Sequence, residues 1–132
     1  MEQPVQSPAI LIVDDEPDIL RLLRILLENI APTYAVLTAG DGPRALAYLA
    51  ERPIPLLITD YMMPEMNGLQ LTAAVKAASP TTQVIMFTAY SSALLEQQAR
   101  AQQVDVFLAK NAMFDLKDVV RRVLGLPAQA DD

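Results

Sequence analysis

Five short runs of apolar residues recur along this chain, at 10–13, 34–38, 55–59, 83–88 and 104–109. They are near-continuous rather than alternating, and only Asp105 interrupts the last one. A strand with one wet face alternates apolar and polar residues, whereas a near-continuous run marks a strand covered on both faces. Covered strands imply helices above and below a parallel sheet, so the segments between the runs must supply those helices.

They carry the expected signals. Pro17 suits a first helical position, and Ile19, Leu22, Leu23, Leu26 and Leu27 follow at helical spacing. Pro43 follows Asp41-Gly42, and Ala45, Leu46 and Leu49 continue that pattern. Leu69 to Ala78 reads as a third helix stopped ahead of Pro80. Ser91 or Ser92 caps a fourth, which runs to about Gln102, and Asp115 to Leu124 forms a fifth with Gly125 at its end. Residues 1–8 and 126–132 read as flexible tails around one domain at 9–125. Right-handed crossovers then give a three-layer α/β fold, (βα)5, for which the flavodoxin-like strand order 2-1-3-4-5 is one common solution.

Three of the runs end on charge. Ile10 to Val13 leads into Asp14-Asp15, Leu56 to Thr59 into Asp60, and Val106 to Ala109 into Lys110. In a parallel sheet these ends share one edge, the edge where ligands bind. Singly, each has a plain reading: Asp14-Asp15 as a helix cap, Asp60 as a turn residue, Lys110 as a solvated lysine. Together they place three carboxylates beside one ammonium. Like charges that close repel unless a cation or proton intervenes.

Composition narrows the chemistry. The chain has no cysteine and no histidine, so it lacks thiolate ligands, imidazole ligands and the usual general base. Any metal is held by oxygen, and Mg²⁺ suits such a set. The net charge of −6 argues against a nucleic-acid face. No apolar run approaches the ~20 residues of a membrane span, and no signal peptide precedes Ile10, so a cytoplasmic protein is expected.

Asp14-Asp15, Asp60, Thr88 and Lys110 resemble the five-residue set of bacterial response-regulator receiver domains. Asp60-Tyr61-Met62-Met63-Pro64-Glu65-Met66-Asn67-Gly68 is similar to their D-x-x-M-P-x-x-x-G stretch, and Phe107-Leu108-Ala109-Lys110 to their F-L-x-K stretch. The resemblance spans about residues 9–125 and implies a stand-alone CheY-like receiver. It implies that Asp60 accepts a phosphoryl group from the phosphohistidine of a histidine kinase or histidine phosphotransfer protein. Asp15, Asp60 and the Met62 backbone carbonyl would bind Mg²⁺ (or Mn²⁺), with Asp14 acting through a water. Lys110 and Thr88 would hold phosphoryl oxygens, and Thr88 and Phe107 would act as switch residues, Phe107 also having a plain core role. Such a domain is no enzyme beyond its own phosphorylation and slow dephosphorylation. Its fourth-helix to fifth-helix face would signal to an unidentified downstream protein, without direct nucleic-acid or membrane contact. A phosphorylation-dependent homodimer through the Phe107/Phe114 side is a further implication. No room remains after residue 125 for an output domain, so the output is another protein or the chain is part of a longer one.

Three features, at four positions, set this chain apart from the family pattern. Asn111 replaces the usual proline after the lysine, and a trans 110–111 bond is expected, because a non-proline cis bond costs roughly 3–4 kcal/mol. Gln103 stands where a helix-ending glycine is usual, and the helix is expected to end differently there rather than keep a strained positive-φ cap. Met62 and Tyr90, two residues beyond Asp60 and Thr88, offer no carboxylate or amide to orient an attacking water, so a long-lived phosphoryl group is expected. The rival readings are a phosphate-independent binding module, favoured by Asn111, and a Mg²⁺-dependent phosphatase, disfavoured by Met62 in place of a second Asp. A nucleotide-binding flavodoxin-like protein lacks its Gly-rich loop. Met62, Met63 and Met66 read as loop packing or an adaptable surface. Ala112-Met113-Phe114 either seats the fifth helix or joins Tyr90, Leu94 and Leu95 in a docking patch. Arg121-Arg122 balances a negative helix end.

Overall fold

A computed structural model describes residues 7–127. Strands and helices alternate: β1 (Ala9–Val13), α1 (Pro17–Ile30), β2 (Ala35–Ala39), α2 (Gly42–Glu51), β3 (Leu56–Thr59), α3 (Gly68–Ala78), β4 (Gln83–Thr88), α4 (Ala93–Ala101), β5 (Val106–Ala109) and α5 (Met113–Leu124). The five strands are all parallel, in the order β2-β1-β3-β4-β5. The expected (βα)5 architecture and strand order are therefore present.

Near-continuous apolarity has a simple outcome here. Along β1 every residue is buried, but successive side chains enter different layers. Ala9, Leu11 and Val13 pack with Ala45 of α2, Leu71 and Val75 of α3 and Ala99 of α4. Ile10 and Ile12 pack with Leu23 and Leu27 of α1 and Leu116, Val119 and Val120 of α5. Two helices thus cover one face of the sheet and three cover the other.

The helix starts follow local chemistry. Pro17 opens α1. Asp41 Oδ1 accepts from Arg44 N at 2.9 Å to cap α2. Asn67 and Gln70 form a reciprocal capping box on α3, each bond 2.9 Å. Ser92, not Ser91, caps α4 by accepting from Leu95 N.

Several boundaries differ from the sequence expectation. The second strand begins one residue later, at Ala35, and the third at Leu56. The fifth begins at Val106, because Asp105 is a junction: its Oδ2 accepts from Val84 N and from Lys76 Nζ, both at 2.8 Å. The fifth helix starts at Met113 rather than Asp115, on an Ala112 that supplies no side-chain cap.

Gln103 is the clearest correction. Its φ is +71°, so the left-handed helix end is retained rather than replaced. Val104 N donates to Ala99 O and Gln103 N to Arg100 O, the paired bonds of a Schellman turn. The same turn closes α5 at Gly125, also with φ +71°, where Leu126 N donates to Arg121 O. Val104 lies in the core next to the α4 turn, and its burial holds the chain in that geometry despite the glutamine. Among the described residues no peptide bond is cis, the 110–111 bond included. Of the two tails expected, residues 1–6 and 128–132 lie outside the described residues.

Candidate functional site

The ends of β1, β3 and β5 meet at one edge of the sheet, and ladder hydrogen bonds fix the residues just past them. Asp14 N donates to Ala39 O at 3.1 Å, Asp60 N to Val13 O at 3.0 Å and Lys110 N to Thr88 O at 2.9 Å. Asp14 and Asp60 are nearly enclosed, 2% and 6% exposed. Lys110 Nζ lies 2.8 Å from Asp14 Oδ2, 2.9 Å from Asp60 Oδ2 and 3.4 Å from Glu16 Oε1. The other oxygen of each buried carboxylate takes a backbone amide: Glu16 N donates to Asp14 Oδ1 and Tyr61 N to Asp60 Oδ1.

Burial raises the Asp14 pKa above its ordinary value, and the nearby Asp60 charge adds to that, against the lowering effect of Lys110 and of the Glu16 amide. Burial also opposes the charge on Lys110, but its hydrogen bonds to Asp14 and Asp60 outweigh this, and its pKa stands above that of an ordinary lysine. The ammonium therefore stays charged wherever the carboxylates do.

Carboxylate oxygens of Asp14, Asp15 and Asp60 lie within 4.8 Å of one another, with Asp15 exposed to solvent. This all-oxygen set, in a chain without histidine or cysteine, could hold a hard divalent cation that keeps part of its water shell.

The sequence expectation named Asp14, Asp15, Asp60 and Lys110, and the fold brings all four together. Thr88 ends β4, fully buried, and its Oγ1 accepts from Tyr90 N at 3.1 Å. Phe107 lies in β5, half-buried, against the layer that contains α2, α3 and α4. Met62 lies in the β3–α3 loop with its side chain about half exposed.

Four features went unread in the sequence. Glu16 is a third carboxylate on Lys110, although it reads as an ordinary acid at a helix start. Thr59 Oγ1 donates to the Asp60 carbonyl at 2.8 Å. A β-carbon at Gly68 would overlap that same carbonyl, so only glycine fits where α3 begins against the β3 end. The rings of Tyr61 and Tyr90 meet edge to face, centroids 6.5 Å apart and planes at 68°. Only Gly68 had a signal, its place in the D-x-x-M-P-x-x-x-G stretch.

An acidic edge with a lysine across it, on a parallel sheet of this order, defines a class of α/β domain whose site lies at the carboxyl ends of the strands. The family model "Response regulator receiver domain" matches residues 10–123, and the chain belongs to that family. The chain is 31% identical to the response regulator receiver protein CpdR of Brucella abortus (strain 2308), over 86% of this chain and 92% of the relative. It is 38% identical to the transcriptional regulatory protein GlrR of Escherichia coli (strain K12) over 76% of this chain, and spans 22% of that regulator's length. The chemotaxis protein CheY4 of Vibrio cholerae shares the fold, with a TM-score of 0.80 at 29% identity over 89% of this chain and 99% of that one. The chain is thus a CheY-like receiver domain of the two-component class. These likenesses give no support to a binding module that works without phosphate. Among the described residues, no helix is long and apolar enough to cross a membrane.

Proposed function

We propose that Asp60 is the phosphoacceptor of a two-component phosphorelay. A carboxylate oxygen of Asp60 attacks the phosphorus of a phosphohistidine on a histidine kinase or histidine phosphotransfer protein. The P–N bond breaks as the O–P bond forms, and the imidazole leaves with the electron pair. The observation that carries this reading is Lys110 Nζ, held at 2.8 and 2.9 Å between the enclosed carboxylates of Asp14 and Asp60. Lys110 draws a phosphoryl oxygen toward Asp60, and the Thr88 hydroxyl donates to another. Asp15, Asp60, the Met62 backbone carbonyl and, through water, Asp14 would hold Mg²⁺ (or Mn²⁺), which would supply charge neutralisation for the transferred group. Phosphoryl transfer of this kind is positioning and charge neutralisation, and it needs no histidine in the acceptor.

The added charge of about −1.5 to −2 is the signal. Thr88 and Phe107 relay it to the face formed by α4, β5 and α5, where Tyr90, Leu94 and Phe114 stand exposed for a downstream protein or a second copy of the chain. Residues 9–125 act as one receiver domain in the cytoplasm, with neither nucleic acid nor membrane as direct partner. Its only catalysis is on itself, namely its own phosphorylation and slow dephosphorylation.

Intact-protein mass after incubation with acetyl phosphate and Mg²⁺ tests the reading. The expected result is one phosphoryl adduct, lost with EDTA and absent from Asp60→Asn. No adduct in the unaltered protein, together with no binding of BeF₃⁻, overturns it.

A further inference from the structure

The acceptor carboxylate and the buried threonine hydroxyl are each oriented by the backbone of a tyrosine. Tyr61 N donates to Asp60 Oδ1 at 2.7 Å, and Tyr90 N donates to Thr88 Oγ1 at 3.1 Å. These same two tyrosines touch each other edge to face. One lies in the loop after β3 and the other in the turn after β4, so neither belongs to a helix or strand. No ladder bond joins the two segments past Thr59 and Met86, the last paired residues of β3 and β4. The ring contact is therefore a direct side-chain tie between the backbone that aims Asp60 and the backbone that aims Thr88.

The geometry points to Tyr61 and Tyr90 as a positioning pair that holds the site in its phosphoryl-free arrangement. This rests on the proposed phosphoacceptor reading. A Thr88 hydroxyl that moves toward a group on Asp60 either leaves Tyr90 N or draws the Tyr90 backbone with it. The second movement shifts the 89–92 turn relative to Tyr61 and strains the ring contact, and the first gives up the bond that ties the turn to Thr88. Tyr90 is 56% exposed, so the turn has room to move. Tyr61 is half-buried against the α2–α3–α4 layer and is the fixed member. A ligand that favours the shifted arrangement works against the ring contact, and removing that contact shifts the population toward the ligand-bound form.

An edge-to-face pair contributes enough to change such an equilibrium about two- to tenfold. The experiment is calorimetric titration of Mg²⁺ and BeF₃⁻ into the unaltered chain, Tyr61→Leu, Tyr90→Leu and the double variant. Tyr90→Phe serves as the conservative control, because phenylalanine keeps the ring edge. Each leucine variant should bind the mimic about two- to tenfold more tightly, the double variant no more tightly than either single one, and Tyr90→Phe as the unaltered chain does. If Tyr61→Leu fails to fold, Tyr90→Leu at its exposed site carries the test alone against Tyr90→Phe. Unchanged or weaker binding in Tyr90→Leu, or additive effects in the double variant, overturns the pair and leaves the phosphoacceptor reading standing. No mimic binding by the unaltered chain overturns both.

Discussion

Replacing Lys110 with methionine keeps the length of the side chain and removes the one cation between Asp14 and Asp60. The structure sets the cost. Lys110, Asp14 and Asp60 have side chains 15%, 3% and 8% exposed, so both contacts are shielded from solvent. Removing one member of a buried pair costs about 3–5 kcal/mol. The third contact, to a Glu16 side chain 64% exposed, adds little. Proton uptake limits the loss, because a stranded carboxyl can be neutralised at pH 7 for at most about 4 kcal/mol. Lys110→Met should therefore lower stability at pH 7 by about 3–4 kcal/mol, or about 10–15 °C in Tm for a chain of this size. The pH dependence has a definite sign. Burial already raises the Asp14 pKa above 3.8, and losing the Lys110 hydrogen bond raises it further. A carboxyl whose folded pKa is raised binds its proton more tightly in the folded state, so stability is retained at low pH and lost as pH rises above 3.8. The deficit should shrink to about 1 kcal/mol at pH 4.5. Urea unfolding at both pH values measures it, and Asp14→Asn combined with Lys110→Met should recover most of the loss at pH 7. An equal deficit at the two pH values, or a variant more stable than the unaltered chain at pH 7, would refute the reasoning.

Other substitutions test other parts of the molecule. Gln103→Gly should raise stability by about 0.5–1 kcal/mol, the left-handed penalty less the glycine's extra unfolded-state entropy, while Gly125→Ala should lower it; thermal melts of the two give the comparison. Gly68→Ala should cost about 1–3 kcal/mol in urea unfolding and weaken BeF₃⁻ binding, because its β-carbon displaces the Asp60 carbonyl. Met62→Asn places an amide two residues beyond Asp60 and should speed loss of the phosphoryl adduct about tenfold, the effect of one well-placed hydrogen bond; mass spectrometry of the decaying adduct measures it. An unchanged decay rate would sever Met62 from the lifetime of the adduct.

What the sequence discloses depends on whether the determining interaction is local. The strands are legible because a stretch such as Ile10 to Val13 must be covered on both faces, and Pro17 and Asp41 announce their helices by chemistry confined to one turn. The start of α5 is illegible because Ala112 has no capping group, and Met113 is drawn in by packing against the α1–α5 layer. Gln103 misleads for a similar reason: the burial of Val104 sets the conformation that glutamine itself disfavours. At the site, Asp14, Asp60 and Lys110 are legible as charges ending apolar runs. Glu16 and the Tyr61–Tyr90 contact are not, because each acts across loops whose approach no periodicity encodes, and Thr59 is not, because a threonine ending an apolar run reads as an ordinary strand residue.

The rungs from Asp14 to Ala39, Asp60 to Val13 and Lys110 to Thr88 have one more consequence. Side chains alternate along each strand, so a slip of one residue would turn an apolar set to the wrong layer and would also replace a charged tip by a neutral neighbour, Val13, Thr59 or Ala109. A mispaired sheet would lose its chemistry together with its packing. The charged edge thus acts as a checksum on strand alignment: only a chain with every neighbour correctly matched assembles it, and no half-aligned version carries a half-working site.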